Sequence, residues 1–348
     1  MKQVKIFCDG CSRGNPGPAG IGYVITTSSG EILAEESEFV EIKTNNEAEY
    51  LAAIKALEKA LSLDVDEVDL YADSELLIKQ IRGEYQVRSA NIRKLYLRLR
   101  SLISRLKRFQ AHHVMRDENL KADDLANRAV DEWIKKGGKI VKFSLNAAHF
   151  AGELVKKGGV IIFPTDTVYG VGCDPMNEAA VEKVKQAKGR ESKPFPILVD
   201  SLEKALELGE FEEKSLELAY RLWPGPLTIV VKASEKARKS PAIFGSEMIG
   251  LRIPASIQAI ELIKRSGGAL VGTSANLSGN PPPKSIDELE DLLIQSADLV
   301  IDGGRCLLGE PSTVIKVSGR IIEILREGAL TIERIKSVVE EIGLSLKI

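Results

Sequence analysis

Four acidic residues in the first part of the chain stand where apolar segments end or begin. Asp9 and Asp73 each follow a strand-like apolar run. Glu49 and Asp123 fall in the first turns of segments with helical apolar spacing. Strand ends and helix starts can meet in space, and four carboxylates gathered there would repel one another unless divalent cations compensate. Oxygen ligands select Mg2+ or Mn2+, and a metal pair suits phosphodiester hydrolysis, although each acid taken singly is equally compatible with a cap or a solvated surface group.

The second part of the chain contains turns in which hydroxyl residues and cations stand beside glycines. One such turn carries Lys188, Gly189 and Arg190 at the end of a helix-like segment, and others lie at residues 164–172, 272–279, 311–314 and 325–328. These residue types let backbone and side-chain donors approach an anion closely. No GxxxxGK[ST] sequence and no strand-turn GxGxxG occurs, which argues against a P-loop or Rossmann nucleotide site.

The elements that must position these residues follow from apolar periodicity. In the first part, β-branched and apolar runs predict three strands joined as a meander, at residues 4–8, 20–27 and 32–40. Helical spacing follows at residues 50–61, and strands and helices then alternate at residues 65–72, 89–108, 109–114 and 122–133. Three strands followed by this alternation predict a mixed sheet covered by helices, which is an α/β fold.

Length and composition set the outer limits. A chain of 348 residues suits two or three domains, and the polar run at residues 135–139 predicts a boundary between domains 1–138 and 139–348. With 44% hydrophobic residues and 48 basic against 50 acidic side chains, the composition excludes wholesale disorder and a global nucleic-acid-binding charge. We expect a cytoplasmic protein without a membrane partner, because no apolar run of roughly 20 residues or signal peptide is present. Cys8 and Cys11 have CxxC spacing, but no second pair completes a zinc site.

One stretch of the first domain is strongly basic. No acid occurs between Glu84 and Asp117, and the interval holds nine cations: Arg88, Arg93, Lys94, Arg98, Arg100, Arg105, Lys107, Arg108 and Arg116. Arginines and lysines without balancing acids favour contact with a nucleic-acid backbone, with Arg88, Arg93 and Lys94 as candidate contacts. A solvated helix face is the simpler alternative.

The first domain resembles type 1 ribonuclease H over nearly its whole length. The matching stretches are Asp9-Gly10, residues 14–17, residues 44–50, Asp73-Ser74 and residues 122–127. The resemblance implies metal-binding catalytic carboxylates at Asp9, Glu49, Asp73 and Asp123, with His113 as a catalytic histidine. It further implies an RNA–DNA hybrid as substrate, with the ribose hydroxyl sensed around Asn15, Asn45 and Asn46.

The second domain closely resembles the YrdC-like threonylcarbamoyl-adenylate synthases, from about residue 145 to residue 335. That family has a twisted α/β sheet with an open cavity and makes threonylcarbamoyl-AMP from L-threonine, bicarbonate and ATP. The resemblance implies Thr167, Ser274 and Ser312 near threonine. It implies ATP contacts at Lys188, Arg190, Arg252, Asn276 and Arg326.

Together these observations predict a bifunctional enzyme with two α/β domains, using Mg2+ or Mn2+ and taking ATP as a substrate. A tRNA-modifying transferase complex is the expected downstream partner of the second domain. Many synthases carry histidines in two stretches that lack them here, at residues 196–200 and 254–256. The alternative is therefore that one half is a non-catalytic RNA- or tRNA-binding module attached to the other enzyme.

Overall fold

The computed structural model describes residues 2–189 and 193–347. The chain divides into two compact units, Met1–Gly138 and Lys139–Ile348, and each has its own cluster of buried apolar side chains. Among the described residues, no helix combines the length and the apolar character needed to cross a membrane.

The first unit is a mixed five-stranded sheet with helices, as the sequence predicts. Its strand order is β3-β2-β1-β4-β5: the first three strands form an antiparallel meander, and β4 and β5 continue the sheet in parallel with β1. The strands are β1 Gln3–Ser12, β2 Gly17–Thr27, β3 Ile32–Lys43, β4 Glu67–Ala72 and β5 Arg108–His113. The helices are α1 Asn45–Ser62, α2 Glu75–Ile81, α3 Ala90–Ile103 and α4 Leu120–Lys135.

Local chemistry sets where these helices begin and how closely they pack. Thr44 and Glu47 form a reciprocal capping box at the start of α1, which satisfies two backbone donors at once. Helix α4 lies against β2 at a glycine: a Cβ on Gly22 would stand 2.3 Å from the carbonyl oxygen of Ala122. No residue with a side chain allows this approach without movement of the helix, so Gly22 sets the position of the first turn of α4.

The second unit contains two sheets. The larger has the order β13-β9-β12-β11-β16-β17-β18 with β10 beside β11, and the smaller has the order β14-β8-β7-β15-β6. The strands are β6 Ile140–Lys142, β7 Ile161–Phe163, β8 Gly170–Gly172, β9 Ile197–Val199, β10 Gly209–Glu210, β11 Leu227–Ala233, β12 Met248–Arg252, β13 Ala269–Val271, β14 Thr273–Ser274, β15 Leu299–Asp302, β16 Thr313–Ser318, β17 Ile321–Arg326 and β18 Ser345–Lys347. The helices are α5 Leu145–Lys156, α6 Glu178–Ala187, α7 Leu202–Leu208, α8 Glu213–Leu222, α9 Ile257–Arg265, α10 Asp291–Ser296 and α11 Ile332–Glu341.

The hydroxyl- and glycine-containing turns of the second unit fall at the ends of these strands. The segment from Pro164 to Tyr169 joins β7 to β8, and the segment after Ser274 leaves β14. Ser312 directly precedes β16, and Arg326 is the last residue of β17. Strands from both sheets therefore contribute residues to the cavity described below.

Candidate functional sites

The four predicted carboxylates of the first unit lie on four elements that meet at one end of the sheet. Glu49 lies near the start of α1, Asp73 directly follows β4, and Asp123 is the fourth residue of α4. Asp9 lies within β1 and not at its end, because β1 continues through Ser12 in register with β2. The expectation that Asp9 ends the strand is therefore wrong.

Close packing brings Glu49 to this end of the sheet. A Cβ on Gly10 would stand 2.2 Å from the carbonyl carbon of Ala48 and 2.3 Å from the backbone nitrogen of Glu49. The Glu49 carboxylate then accepts hydrogen bonds from the Ser74 hydroxyl and from Asn45 Nδ2, the latter at 2.9 Å. Because position 10 is a glycine, α1 can pack closely enough against β1 to place the Glu49 carboxylate at this end of the sheet.

Asp73 is held by a buried amide. Asn119 Nδ2 donates to Asp73 Oδ1 at 3.0 Å and to the carbonyl oxygen of Cys8 at 3.1 Å. Asn119 is 1% exposed, and its Oδ1 is buried without a hydrogen-bond partner among the described residues. The site therefore contains a buried oxygen acceptor in addition to its carboxylates, and sequence reasoning missed this residue. Its signal was an amide just before the helix that carries Asp123.

Both oxygens of Asp123 are engaged by side chains. Arg116 Nη2 donates to Oδ1 at 2.7 Å, and Asn127 Nδ2 donates to Oδ2 at 3.1 Å. In the described part of the chain, no three Asp, Glu, His or Cys side chains form a ready-made metal-binding group. The donor set still fits a hard divalent cation, since it consists of carboxylate and amide oxygens.

Burial and mutual repulsion both act on the pKa values of these acids. Burial, followed by repulsion from Asp73, raises the pKa of Asp9 to about 7. Burial also raises the pKa of Glu49 to about 7, against the opposing hydrogen bond from Ser74. Burial is the larger cause of both shifts and repulsion between the acids the smaller one, and a bound cation would relieve the part that comes from repulsion.

The remaining predicted residues of the first unit surround this cluster. His113 is exposed, and its Nε2 lies 3.2 Å from the carbonyl oxygen of Asp73. Asn15 Oδ1 accepts from the backbone nitrogen of Asn45 at 3.2 Å, and Asn46 is exposed beside them. The structure therefore places the histidine and the asparagines near the carboxylates.

The positive charge of the basic stretch between Glu84 and Asp117 is partly neutralised by acids from elsewhere in the fold. Acids from other elements pair with Arg98, Lys107, Arg108 and Arg116, so the lack of acids within the stretch overstates its charge. Arg88, Arg93 and Lys94 are exposed on or just before α3. These three were the candidates for phosphate contact, and their exposure leaves them accessible to a nucleic acid.

The second unit encloses a cavity of about 520 Å3. The described residues that the sequence assigned to a threonine and ATP site all line it: Thr167, Lys188, Arg252, Ser274, Asn276, Ser312 and Arg326. Arg190 lies outside the described residues. The cavity falls within the size range of small-molecule sites, and its wall combines apolar side chains with convergent polar groups.

One wall of the cavity is a loop held by Lys188. The ammonium group donates to the carbonyl oxygens of Ser274 and Asn276, the latter at 2.7 Å. Ser278 in turn donates from its backbone nitrogen, at 3.2 Å, and from its hydroxyl, at 3.1 Å, to the carbonyl oxygen of Lys188. The lysine thus fixes the loop that carries two other candidate residues and places a cation against the cavity.

Another part of the cavity wall carries a chain of hydrogen bonds from Arg326. Its guanidinium donates to the carbonyl oxygen of Ser312 at 2.8 Å and to its hydroxyl at 3.3 Å. That hydroxyl lies 2.8 Å from Thr228 Oγ1, which is buried and also lines the cavity. Sequence reasoning missed Thr228, because a lone threonine inside a strand carries no motif.

Arg252 is buried and has protein partners. Its guanidinium contacts Asp166, Thr167 and the carbonyl oxygen of Gly225. Burial lowers the pKa of Arg252, and the Asp166 carboxylate opposes that shift. The sequence singled out this arginine as an ATP contact, whereas the structure ties it to Thr167.

Comparison with known proteins assigns both units. The Sua5/YciO/YrdC family model, described as "Telomere recombination", matches residues 153–328, which is half of the chain. The chain belongs to the Sua5/YciO/YrdC family. A second model, described as "Reverse transcriptase-like", matches residues 7–129, so this family member carries an RNase H-like unit ahead of its Sua5/YrdC unit.

Individual relatives agree with this division. The chain is 36% identical over 196 residues to the threonylcarbamoyl-AMP synthase of Pyrococcus abyssi, covering 55% of this chain and 57% of that protein. It is 40% identical over 130 residues to ribonuclease HI of Halobacterium salinarum, covering 37% of this chain and 65% of that protein. The crystal structure of P. abyssi Sua5 complexed with L-threonine superposes with a TM-score of 0.55 at 33% identity, covering 60% of this chain and 61% of that one. The chain spans little more than half the length of the curated synthases from P. abyssi and Bacillus subtilis.

Proposed function

We propose that the protein is a bifunctional enzyme. Its first unit cleaves the RNA strand of RNA–DNA hybrids with the help of divalent metal ions. Its second unit condenses L-threonine, bicarbonate and ATP into threonylcarbamoyl-AMP and pyrophosphate, for use by a tRNA-modifying transferase complex.

The observation that carries the first activity is the meeting of Asp9, Glu49, Asp73 and Asp123 at one end of the sheet. These residues would hold Mg2+ or Mn2+. Asp123 would have to give up its ion pair with Arg116 in order to bind the metal. When bound, such ions activate a water molecule and stabilise the leaving oxygen of a phosphodiester. The amide groups of Asn45 and Asn119 orient Glu49 and Asp73, and the exposed Arg93 and Lys94 would contact the substrate backbone without reading its sequence.

Asp9→Asn tests the first activity. We expect the variant to lose cleavage of a labelled RNA–DNA hybrid while still binding it, since substrate affinity comes largely from phosphate contacts. Asp124→Asn is the matched control, because Asp124 is an exposed neighbour of Asp123 on the same helix. Cleavage by Asp9→Asn at the rate of the unmodified protein would refute the assignment.

The observation that carries the second activity is the cavity that gathers all the described candidate residues for threonine and ATP. In the proposed reaction, the amine of threonine and bicarbonate form a carbamate with loss of water. A carbamate oxygen then attacks the α-phosphorus of ATP, and pyrophosphate leaves. Lys188 and Arg326 would supply positive charge to the phosphates, which carry the charge that develops during transfer.

Pyrophosphate release from ATP by the full-length protein tests the second activity. We expect release to require both L-threonine and bicarbonate, and Ser274→Ala or Asn276→Ala to reduce it. Absence of release from protein that still cleaves hybrids would favour the alternative, in which the second unit is a binding module. Retention of hybrid cleavage is the control for the amount of intact protein, and a cooperative thermal unfolding transition of the second unit is the control for its folding.

A further inference from the structure

The second unit contains a further cavity, which is separate from the one described above. This rear cavity, of about 330 Å3, is formed by residues of α5, α7, β9, β12 and β13 together with residues 174–176, 236–240 and 266–267. None of the described candidate residues for threonine or ATP lines it. The rear cavity therefore has no part in the proposed synthase reaction.

The two cavities share a wall that is one layer of sheet thick. Ile197 of β9 and Ile249 of β12 line the rear cavity. Their chain neighbours Leu198 and Gly250 line the first cavity, and β9 pairs in parallel with β12. Successive residues of a strand point to opposite faces of the sheet. The rear cavity thus lies behind the sheet, on the face away from the first cavity.

The buried part of the rear cavity is apolar. Its buried apolar lining residues are Pro175, Ile197, Leu208, Ala237 and Ile249. Two buried serines also line it, but Ser240 Oγ donates to the carbonyl oxygen of Pro175 at 2.6 Å. Ser266 Oγ donates to the carbonyl oxygen of Leu262 at 2.8 Å. A carbonyl oxygen only accepts, so neither hydroxyl has a proton left for an anion.

The charged side chains of the rear cavity are mostly cationic. Among the described residues, its charged lining consists of three lysines and one acid: Lys156, Lys204, Lys236 and Asp174. Lys204 and Lys236 donate to the same carboxylate oxygen of Glu207, at 3.0 Å and 3.1 Å, so one carboxylate serves two ammonium groups. Lys156 pairs with Glu153 at 3.0 Å on α5. Glu153 and Glu207 are exposed, and ion pairs at such positions are weak enough for another carboxylate to compete.

We propose that the rear cavity binds a small carboxylate with an apolar tail. The tail would displace water from the buried apolar residues, which supplies most of the affinity. The carboxylate would lie at Lys204 and Lys236, because the buried hydroxyls have no proton to donate to it. Binding at this site does not depend on either proposed activity.

Octanoate and 1-octanol test the proposal, since they share an apolar tail and differ in charge. We expect calorimetry with the full-length protein to show one octanoate per chain. Octanoate should bind about three- to tenfold more tightly than octanol, because only its charged head forms ion pairs with the lysines. Equal affinities for the two probes, or no octanoate binding, would overturn the proposal.

Lys204→Met/Lys236→Met tests the position of the carboxylate. This double variant should weaken octanoate binding to the level of octanol and leave octanol binding unchanged. The matched control is Lys214→Met/Lys232→Met, which removes two lysines that also pair with glutamates, at 3.1 Å and 3.3 Å, but do not line the rear cavity. Equal weakening by both double variants would mean a general charge effect and would contradict the assigned position.

Ala269→Leu tests the position of the tail, because Ala269 is a half-buried lining residue whose enlargement fills the rear cavity. Both probes should lose binding to this variant, whereas Ala269→Ser should retain it. Octanoate binding to folded Ala269→Leu with unchanged affinity would place the probe elsewhere and overturn the proposal. If Ala269→Leu shows no cooperative thermal unfolding transition, the lysine variants decide the outcome, since their side chains are partly exposed.

A competition experiment separates the rear cavity from the first one. Octanoate should still bind in the presence of saturating ATP and L-threonine, because the two cavities lie on opposite faces of the sheet. Complete displacement would place octanoate in the first cavity and refute the inference. Octanoate binding without pyrophosphate release would refute the synthase activity alone, and pyrophosphate release without octanoate binding would refute the inference alone.

Discussion

At the scale of single residues, the first unit holds like charges together at the expense of its own stability. Asp9 and Glu49 ionise with difficulty because they are buried beside other carboxylates. Repulsion between unneutralised acids opposes folding, and the metal ions proposed above would relieve it. Two predictions follow from the contacts of individual side chains.

Replacing Asp9 by asparagine should stabilise the protein in a pH-dependent way. The pKa of Asp9 rises from 3.8 to about 7 on folding, so the folded state binds more protons than the unfolded state between those values. The free energy of unfolding therefore falls as pH increases through this window. The advantage of Asp9→Asn should be small near pH 4 and reach about 1–3 kcal/mol above pH 7.

Urea unfolding at pH 4 and pH 8, with a chelator present, measures this difference. Asp124→Asn provides the comparison, because its side chain is exposed on the same helix as Asp123. If Asp9→Asn gains no more stability at pH 8 than this control, the carboxylates do not interact as described. Added Mg2+ should reduce the advantage, since the ion stabilises only the unmodified cluster.

Arg116 should compete with the metal ion for Asp123. The guanidinium contacts Asp123 at 2.7 Å but is itself 74% exposed, so the pair is weak and easily displaced. Arg116→Met should bind Mn2+ about two- to fivefold more tightly in calorimetry, because a competing cation is gone. Arg128→Met, which removes an exposed pair with Glu132 on α4, is the control. Weaker metal binding by Arg116→Met would show that the arginine supports the site.

At the scale of elements, the positions of the proposed catalytic residues depend on how closely helices approach the sheet. Helix α4 contacts β2 where Ala122, the residue before Asp123, lies against Gly22. Helix α1 contacts β1 where the backbone of Glu49 lies against Gly10. The positions of both acids are thus set by backbone contacts and not by side-chain packing alone. Substitutions at these glycines should lower hybrid cleavage without preventing the first unit from folding.

Gly22→Ala should displace α4. The added Cβ would stand 2.3 Å from the oxygen of Ala122 and 2.5 Å from the nitrogen of Ala126, so the helix must move. A shift of the order of 1 Å at Asp123 should lower hybrid cleavage about 10- to 100-fold. Threonine-dependent pyrophosphate release by the second unit is the internal control and should not change. Full cleavage by this variant would mean that the site tolerates movement of α4.

Helix α3 should determine how hybrid binding responds to salt. Arg93 and Lys94 are exposed, and replacing both by glutamine should weaken binding and reduce the slope of log K against log salt by about 1–2. Arg98→Gln should have a smaller effect, because Arg98 is paired with Glu58. A double variant with an unchanged salt slope would exclude α3 from the substrate contact.

Much of this element-level arrangement could be predicted from the sequence, and the exceptions have physical causes. Apolar periodicity located the meander and the helices α1, α3 and α4, since each buries one face, but it missed the short helix α2. The predicted end of β1 is too early. Residues 9–12 continue the pairing with β2, but their sequence lacks the apolar pattern of a strand and resembles a turn. The basic stretch seemed unbalanced because its partners, Glu58 on α1 and Asp66 before β4, are distant in sequence.

The candidate sites, too, could be predicted from the sequence only in part. Residues in short motifs, such as Thr167 and Ser274, could be named as candidates because their motifs resemble those of the synthase family, and both line the cavity. Asn119, Thr228 and Asp166 were not assigned roles, because their roles depend on contacts made across the fold. Arg252 was identified as functional, yet its partners could only be read from the structure.

At the scale of the whole molecule, the two proposed activities share one chain, and each unit has its own buried core. The charges, hydrogen bonds and cavity that carry each proposal lie within one unit. We therefore expect Asp9→Asn to leave pyrophosphate release unchanged and Ser274→Ala to leave hybrid cleavage unchanged. This independence makes each activity an internal control for protein amount in assays of the other, but not for the folding of the other unit.

The place where the chain can be divided follows from the first strand of the second unit. Residues 140–142 form β6, which pairs in parallel with β15, and Val141 is 1% exposed. A fragment of residues 139–348 keeps this pairing, whereas a fragment of residues 144–348 loses it and leaves an edge of β15 uncovered. The shorter fragment should be less stable by roughly 2–4 kcal/mol, from the lost burial and hydrogen bonds. Thermal unfolding of both fragments measures the difference, with residues 1–138 expressed separately to test hybrid cleavage. Equal midpoints for the two fragments would mean that β6 contributes nothing to the second unit and that the functional boundary lies beyond it.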